Sequence, residues 1–396
     1  MIASLPLVLL LALAAVFGLG AAPAESGEEP GSEIDPLAGV SLAEMELEGG
    51  RYIQRFEDGR SAVFTLDPRM QRYADDLFER YEVPAGAAVM IASRTGRVLA
   101  LSQHRLEKNA ADSDAVALDP SPPAASLFKI VTTAALLDSG ETDLDERVCY
   151  HGGWQELTES NLVDSPRLDT ACADLASALG RSINAVFAKL SDRRLERSEI
   201  AEAASRFGFG RELPFDLPLA ESRAEIPSDR LERARAAAGF WHTRLSPLHA
   251  AMIAQSIAQD GAMLRPYIVD EVTAEDGRTL HESEPAFVAR VASREHAARI
   301  LEAMKLTVER GTARRAFRDP ENRPLVGDVS VAGKTGTLTG RDPYRGYTWF
   351  VGIAPAERPE VALAVLVVNR PAWRIKAATA SALLLREYFS RRETAR

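Results

Sequence analysis

The sequence predicts an α+β fold rather than a doubly wound parallel sheet. The chain has 396 residues, of which 46% are hydrophobic, and this is enough for a large buried core. Strand-like runs lie near both ends of the chain, at 61–67 and 361–369, with helical patterns between them. Because strands and helices do not alternate regularly, we expect a sheet assembled from segments far apart in sequence.

Short sequence patterns predict the first strands and the first helix, between residues 61 and 101. Residues 61–67 (SAVFTLD) have a strand pattern. Pro68 suits the first turn of a helix, and apolar residues recur on one side of 68–82, which predicts an amphipathic helix. Apolar runs at 87–92 and 97–101 are joined by Ser-Arg-Thr-Gly, which predicts a β-hairpin.

The middle of the chain is predicted to be mainly helical. Residues 102–125 are polar and contain prolines, as in a loop, whereas 126–137 are apolar and long enough for a buried helix. Residues 138–175 have no regular pattern. The other predicted helices span 174–191, 196–207, 228–238, 249–261 and 375–390, and the other predicted strands span 329–332, 349–354 and 361–369.

The N-terminal segment indicates export. An uncharged apolar run at 5–20 is followed by the small residues Ala-Pro-Ala at 22–24, a pattern typical of signal-peptidase sites. Because the run is near the lower length limit of a membrane span, residues 1–24 are either a cleaved signal peptide or an N-terminal membrane anchor. Residues 25–60 are then an acidic linker and a short N-terminal segment, and we expect the rest of the chain in the periplasm or cell envelope.

The net charge and the cysteine content further limit the binding partners and the compartment that the sequence allows. The formal net charge is -10, and the chain has no long basic run, which argues against nucleic acid as a partner. Cys149 and Cys172 are the only cysteines. In an oxidising compartment they can form a disulfide that closes a loop of about twenty residues and stabilises the fold by about 3 kcal/mol. The alternative is two free buried thiols.

The first of three short motifs is Ser126-Leu127-Phe128-Lys129. Residues three apart on a helix lie on one face, so the serine and the lysine would be neighbours. A serine hydroxyl is a poor nucleophile until a neighbour removes its proton, and the apolar flanks of Lys129 would lower its pKa by desolvation. The ordinary alternative is a helix-capping serine with a lysine whose ammonium reaches solvent.

The second motif is Ser182-Ile183-Asn184. The hydroxyl of Ser182 could pass a proton, and the amide of Asn184 could hold a substrate carbonyl or the catalytic lysine. Helix capping is the alternative, because an apolar helical segment follows at once.

The third motif is Lys-Thr-Gly-Thr at 334–337, directly after the strand-like VSVAG. A strand edge with a lysine, two hydroxyls and a glycine that permits close approach suits a substrate with a carboxylate, and a peptide could bind there as an added strand. Gly333-Lys334-Thr335 also resembles the end of a phosphate-binding P-loop. That motif needs a glycine four intervening residues earlier, but five strand-like residues separate Gly327 from Gly333.

Ser-x-x-Lys, Ser-x-Asn and Lys-Thr-Gly in this order resemble the motifs of the penicillin-recognising serine acyltransferases. The gap of 152 positions between Ser182 and Lys334 is similar to that of transpeptidases and longer than in class A β-lactamases. Segments across 60–392 also resemble the transpeptidase domain of penicillin-binding proteins: FTLDPRMQ, AAVMIASRTGRVLAL, FGFGRELPFDLP, RLSPLHAAMIAQSIAQDGAMLRP and YTWFVGIAP. The resemblance implies a transpeptidase domain at 61–392, with a mainly antiparallel central sheet flanked by helices and an all-helical lobe.

The resemblance also implies roles for the first two motifs. Ser126 would attack the carbonyl of a D-Ala-D-Ala stem peptide, and Lys129 would take its proton. Ser182 and Asn184 would complete the proton network and grip the substrate.

In the third motif, Lys334 and Thr335 would assist proton transfer. Gly336 would permit the close approach of substrate, and Thr337 would hold the terminal carboxylate. The backbone N–H groups of Ser126 and Thr337 would form the oxyanion hole. This chemistry needs no metal and no cofactor.

We therefore expect a penicillin-binding serine D,D-transpeptidase that cross-links peptidoglycan stem peptides and is inhibited by β-lactam antibiotics. A D,D-carboxypeptidase or a serine β-lactamase is the alternative within the enzyme class, and a β-lactam sensor or non-catalytic wall-binding scaffold is the alternative outside it. Other proteins of cell-wall synthesis are candidate partners.

Two departures from the family pattern concern the cleft. Glu221 and Glu225 lie in the stretch where class A β-lactamases carry the glutamate that activates water, but the Glu-x-x-Leu-Asn context is absent. Phe240 and Trp241 are bulky where small residues are expected, so they either form one wall of the cleft or fill the core.

Overall fold

The computed structural model describes residues 35–106, 115–154 and 156–393. The export segment predicted at 1–24 lies outside these residues. Within the three described ranges, no helix combines the length and the apolar character needed to cross a bilayer.

The described strands are mostly short, and the longest lie near the C-terminus. In chain order they are β1 (Glu46–Glu48), β2 (Arg51–Arg55), β3 (Ser61–Phe64), β4 (Ala85–Ala92), β5 (Val98–Arg105), β6 (Arg147–Tyr150), β7 (Ala171–Asp174), β8 (Arg223–Ala224), β9 (Thr243–Arg244), β10 (Ala262–Leu264), β11 (Val269–Thr273), β12 (Thr279–Glu282), β13 (Phe287–Arg290), β14 (Ala332–Arg341), β15 (Tyr344–Ala354) and β16 (Val361–Asn369).

The described α-helices lie mostly between the strands of the central sheet. They are α1 (Pro68–Arg80), α2 (Phe128–Asp138), α3 (Leu175–Arg181), α4 (Asn184–Arg194), α5 (Arg197–Arg206), α6 (Arg230–Ala237), α7 (Pro247–Ala258), α8 (Arg294–Glu309) and α9 (Ala377–Glu393).

The central sheet has five antiparallel strands in the order β14-β15-β16-β4-β5. The hairpin β4-β5 joins the three C-terminal strands through the pairing of β16 with β4. This confirms the predicted α+β fold with a mainly antiparallel sheet built from distant segments. Because β14 is an edge strand, one side of it remains open to another chain segment.

Helices cover both faces of this sheet. Side chains alternate along β4: Val89 belongs to one hydrophobic cluster and Met90 to another. On the Met90 face pack α1 and α9, and on the Val89 face packs α7. The helices α2 to α6 form a helical lobe beside the sheet, and α8 packs against both α3 and β14. A second five-stranded sheet has the order β1-β2-β3-β11-β12.

Several predicted boundaries were wrong. The helix expected at 174–191 is divided into α3 and α4, because Ser182 adopts a left-handed backbone conformation with φ 56°. The strand expected at 329–332 starts only at Ala332 and continues through the Lys-Thr-Gly motif. β5 extends to Arg105, into the predicted loop.

The helix α8 was not predicted, although its sequence carries a signal. Ser293 caps its N-terminus by accepting a hydrogen bond from the His296 N–H at 3.0 Å. Its buried residues recur at helical spacing and include Ala297, Ile300 and Met304.

The two cysteines form a disulfide between β6 and β7, where Cys149 and Cys172 are directly paired. This confirms the predicted disulfide. The segment 138–175, which was expected to be irregular, contains the antiparallel pair of strands β6 and β7. The buried Nζ of Lys189 donates to the Cys149 carbonyl oxygen at 2.9 Å and to Asp169 at 2.7 Å. The disulfide and this buried ion pair therefore hold the same part of the helical lobe.

We expect the double substitution Cys149→Ser with Cys172→Ser to lower the free energy of unfolding by about 3 kcal/mol, because a closed loop of this length restricts the unfolded chain. Urea unfolding of the oxidised protein and of the variant measures the difference. Equal midpoints, with two alkylatable thiols in the native wild-type protein, would contradict the disulfide.

Candidate active site

The three predicted motifs converge on one cleft. Ser126 lies in a 3₁₀ turn, Ala125–Leu127, immediately before α2. Ser182 and Asn184 lie at the break between α3 and α4. Residues 334–337 lie on the edge strand β14. The structure thus brings together residues that the sequence separates by up to about two hundred positions.

The turn that carries Ser126 is held by close backbone packing. Ala125 has a positive φ of 51°. Gly239 packs against it so closely that a Cβ at position 239 would lie 2.3 Å from the Ala125 carbonyl oxygen. A glycine is therefore required at 239, also because its φ is 83°. This packing fixes the serine at the mouth of the cleft.

The side chain of Lys129 is fully buried below Ser126. Its Nζ lies 3.0 Å from the Ser126 Oγ and 2.8 Å from the Asn184 Oδ1, and it also contacts the Ala238 carbonyl oxygen. Burial, and then the positive charge of Lys334, hold the Lys129 pKa well below its ordinary value of 10.5.

The three contacts of Lys129 fit an uncharged amine as well as an ammonium, because a hydroxyl can accept or donate, and the lowered pKa favours the uncharged form. A neutral amine has two N–H donors and one lone pair, whereas an ammonium has three donors and no acceptor. The Asn184 Oδ1 and the Ala238 carbonyl oxygen only accept, so they use the two donors. The lone pair is then left for the Ser126 hydroxyl, which can donate its proton. This is the arrangement that a serine nucleophile and its base require.

Asn184 is held in the orientation that this contact needs. Its Nδ2 donates to the carbonyl oxygen of Gly153 at 2.9 Å and to that of Trp154 at 3.3 Å. Because both donors of the amide are directed at backbone carbonyls, its Oδ1 faces Lys129.

A second buried amine belongs to Lys334 on β14. The Nζ of Lys334 donates to the Ser182 Oγ at 2.9 Å and to the Thr335 carbonyl oxygen at 2.7 Å. Burial lowers the Lys334 pKa to about 7. The left-handed conformation of Ser182 directs its hydroxyl toward this lysine instead of into a continuous helix.

The third motif forms the wall next to Ser126. A Cβ at Gly336 would lie 3.2 Å from the Cβ atoms of both Ala125 and Trp349, so this position needs a very small residue. Thr337 is exposed and lines the cleft. Lys334 and Thr335 lie on an extended strand paired with β15, which excludes the P-loop alternative.

The cleft has a volume of about 560 Å³. Phe240 and Trp241 form part of its wall, which answers the question that the sequence left open. Glu221 and Glu225 are exposed and do not belong to the lining. The described residues that line the cleft are Ser126, Trp154, Asn184, Ala238, Gly239, Phe240, Trp241, Thr337, Leu338, Thr339 and Arg341.

The sequence reasoning missed the segment after α8, which joins the second and third motifs. A Cβ at Gly311 would lie 2.1 Å from the Gly180 carbonyl oxygen, so the end of α3 packs directly on this segment. The Thr312 N–H donates to the same carbonyl at 3.2 Å, and the Thr312 hydroxyl contacts the Thr335 hydroxyl. Thr312 follows α8 in the chain, and because α8 was not predicted, no sequence pattern indicated that Thr312 lies near the site.

Comparison with protein-family models finds a match to the penicillin binding protein transpeptidase domain over residues 86–386. This match spans more than two thirds of the chain. The chain belongs to the penicillin-binding protein transpeptidase family. The order and geometry of the three motifs agree with this assignment.

Sequence similarity to named peptidoglycan D,D-transpeptidases supports the same family assignment. The peptidoglycan D,D-transpeptidase PbpA of Mycobacterium tuberculosis strain ATCC 25618 / H37Rv is 28% identical over 358 residues, which are 81% of this chain and 70% of that protein. Its mycobacterial counterpart from Mycolicibacterium smegmatis is 28% identical over 354 residues, which are 80% of this chain and 70% of that protein. This penicillin-binding protein is also similar in fold to solved relatives.

Two solved structures illustrate this similarity. The D,D-transpeptidase domain of a peptidoglycan glycosyltransferase from Eggerthella lenta superposes with a TM-score of 0.69, at 25% identity and 84% coverage of each chain. Crystalline PBPA from M. tuberculosis gives a TM-score of 0.68, at 25% identity, with 83% of this chain and 80% of that chain covered.

We expect Thr312→Val in this penicillin-binding protein to slow acylation by benzylpenicillin about three- to tenfold, because it removes one hydroxyl contact to Thr335 and leaves the backbone contact to Gly180 in place. Thr312→Ser keeps the hydroxyl and serves as the matched control. Stopped-flow acylation measures the rates, and equal rates for Thr312→Val and wild type would contradict the positioning role.

Proposed function

We propose that this protein is a serine D,D-transpeptidase of peptidoglycan that works through an acyl-enzyme on Ser126. The observation that carries the proposal is the buried Lys129 amine, whose three contacts leave the lone pair of its uncharged form for the Ser126 hydroxyl. The names of the relatives support the same activity.

In the acylation step, the Ser126 Oγ attacks the carbonyl of the penultimate D-alanine and its proton passes to the Lys129 Nζ. The C–N bond to the last D-alanine then breaks. The leaving amine takes the proton held by Lys129, relayed through the hydroxyl of Ser182, which lies 2.9 Å from the Lys334 Nζ. An amine of a neighbouring stem peptide then attacks the ester carbonyl and gives its proton to Lys129. The C–O bond to the Ser126 Oγ breaks, and Lys129 returns the proton to that oxygen.

Substrate would bind along the edge of β14. We assign the terminal carboxylate to the hydroxyl of Thr337, with the charge of Lys334 nearby. The backbone N–H groups of Ser126 and Thr337 are the proposed oxyanion hole, in which donors held in place stabilise the developing negative charge. The close contact of Gly336 with Ala125 supports this placement, because it sets the two N–H groups on adjoining segments.

The lining of the cleft favours a transpeptidase over a β-lactamase. None of the eleven described lining residues is acidic, and Glu221 and Glu225 are not among them, so this lining lacks the water-activating glutamate of class A β-lactamases. The structure of penicillin-binding protein A from M. tuberculosis as a penicillin G acyl-enzyme complex, 25% identical to this chain, supports a long-lived β-lactam adduct. The intact contact between Lys129 and Ser126 argues against an inactive scaffold.

The proposal includes the placement of the enzyme in the cell envelope. Residues 1–24 would export or anchor the chain, 25–60 would connect to the domain, and 61–392 would form the catalytic domain. Peptidoglycan stem peptides are the proposed substrates and β-lactams the proposed inhibitors, and other proteins of wall synthesis are the proposed partners.

We expect fluorescent penicillin to label the wild-type protein durably and to leave Ser126→Ala and Lys129→Arg unlabelled. The serine variant lacks the nucleophile, and a guanidinium stays protonated and cannot act as a base. Lys305→Arg, a change of the same type outside the cleft, is the control and should label normally. Gel fluorescence over hours gives the result. Rapid loss of label would support a β-lactamase, and labelling of Lys129→Arg would remove Lys129 from the mechanism.

We expect Lys334→Gln to move the acid limb of the residual acylation rate to higher pH. Acylation requires neutral Lys129, so the rate falls when the pH drops through the Lys129 pKa. The positive charge of Lys334, present below about pH 7, lowers that pKa, and its removal lets Lys129 gain a proton at higher pH. Acylation rates from pH 5 to 9 test this, and an unmoved or downward-moved limb would contradict the coupling of the two amines.

A further inference from the structure

Arg341 is the charged residue of the cleft. Among the eleven described residues that line it, no other carries a charge at neutral pH. Arg341 is exposed, and no carboxylate of the described ranges lies within ion-pairing distance of it, in a chain with 57 acidic residues. An unpaired guanidinium in a cleft is a binding group for a carboxylate.

The position of Arg341 on β14 relates it directly to the proposed substrate site. Side chains alternate along a strand, so Thr337, Thr339 and Arg341 point to the same face, and all three are exposed and line the cleft. Four residues of a strand span about 13 Å. Arg341 therefore lies about 13 Å beyond the threonine assigned to the terminal carboxylate.

The burial of β14 sets the direction in which a bound peptide extends. Ala332, Gly333 and Lys334 at the start of the strand are buried, whereas Thr337 to Arg341 at its end border the cleft. With its C-terminal carboxylate at Thr337, a peptide can extend only along the open end of β14. Its earlier residues then run toward Arg341, as an antiparallel partner of the edge strand.

We propose that Arg341 binds a free side-chain carboxylate on the third residue of the donor stem peptide, the residue immediately before D-Ala-D-Ala. This inference rests on the proposed function. An extended peptide advances about 3.4 Å per residue, so the third residue lies about 7 Å along β14 from the terminal carboxylate. The side chains of the third residue and of Arg341 then extend toward each other and cover the distance that remains between them along β14.

Arg345 provides a matched control. It lies across the same hairpin on β15, paired with Gly340, and its side chain therefore points to the opposite face from that of Arg341. It is also exposed and does not line the cleft. Arg345→Gln removes the same charge from the same hairpin without changing the cleft.

The test uses two pentapeptides ending in D-Ala-D-Ala that differ only in the third residue, whose side chain ends in a carboxylate or in the corresponding amide. Each peptide competes with fluorescent penicillin for Ser126, and the ratio of the two inhibition constants is measured for wild type, Arg341→Gln and Arg345→Gln. The ratio cancels any general effect of a variant on acylation.

We expect wild type and Arg345→Gln to bind the carboxylate peptide about three- to fivefold more tightly, the range of an exposed ion pair, and 0.5 M salt to reduce this preference. Arg341→Gln should bind both peptides equally. If wild type binds the two peptides equally and penicillin labels Ser126 normally, this inference alone is overturned. The same holds if Arg341→Gln still prefers the carboxylate peptide. If neither peptide competes while penicillin still labels Ser126, the proposed donor and this inference both fail.

Discussion

The site depends on the removal of one amine from water. Lys129 is fully buried, and its pKa is lowered because the charged form loses hydration that the protein does not replace with a carboxylate. Its three contacts are an amide oxygen, a backbone carbonyl and a hydroxyl, so no opposite charge compensates the charged form of the amine. In the proposed mechanism, the cost of burying the charge is what lets Lys129 take the proton of Ser126.

Several close backbone contacts maintain this burial. Gly239 packs on Ala125 behind the serine, Gly336 brings β14 against the same turn, and Gly311 packs on Gly180 at the end of α3. A Cβ atom at Gly239 or Gly311 would clash with backbone oxygens, and one at Gly336 would be tightly packed at 3.2 Å from Ala125 and Trp349. The helical lobe and the sheet are thus locked together at the positions where the three motifs meet, and the resulting cleft keeps one open edge strand for a peptide.

Much of the fold and of the chemistry was predictable from the sequence, because both rest on local patterns. Apolar runs predicted β4, β5, β16 and part of β15, and the amphipathic pattern predicted α1, whereas most of β14 was missed. The order of the three motifs predicted which residues would meet. The helical pattern on both sides of Ser182 predicted one continuous helix, although helix capping at the Ser-Ile-Asn motif was an alternative. In the structure, Ser182 ends α3 in a left-handed conformation and contacts Lys334. Thr312 was missed because its contacts with Gly180 and Thr335 are long-range.

The ionisation state of Lys129 is the most direct measure of this account. The chain has only six lysines, so ¹⁵N-labelled lysine gives a side-chain NMR spectrum in which Lys129 can be assigned by its loss in Lys129→Met. The account predicts that the Lys129 amine of the free enzyme loses its proton at a pH well below 10.5. A Lys129 side chain that stays protonated up to its ordinary pKa of 10.5 would contradict it.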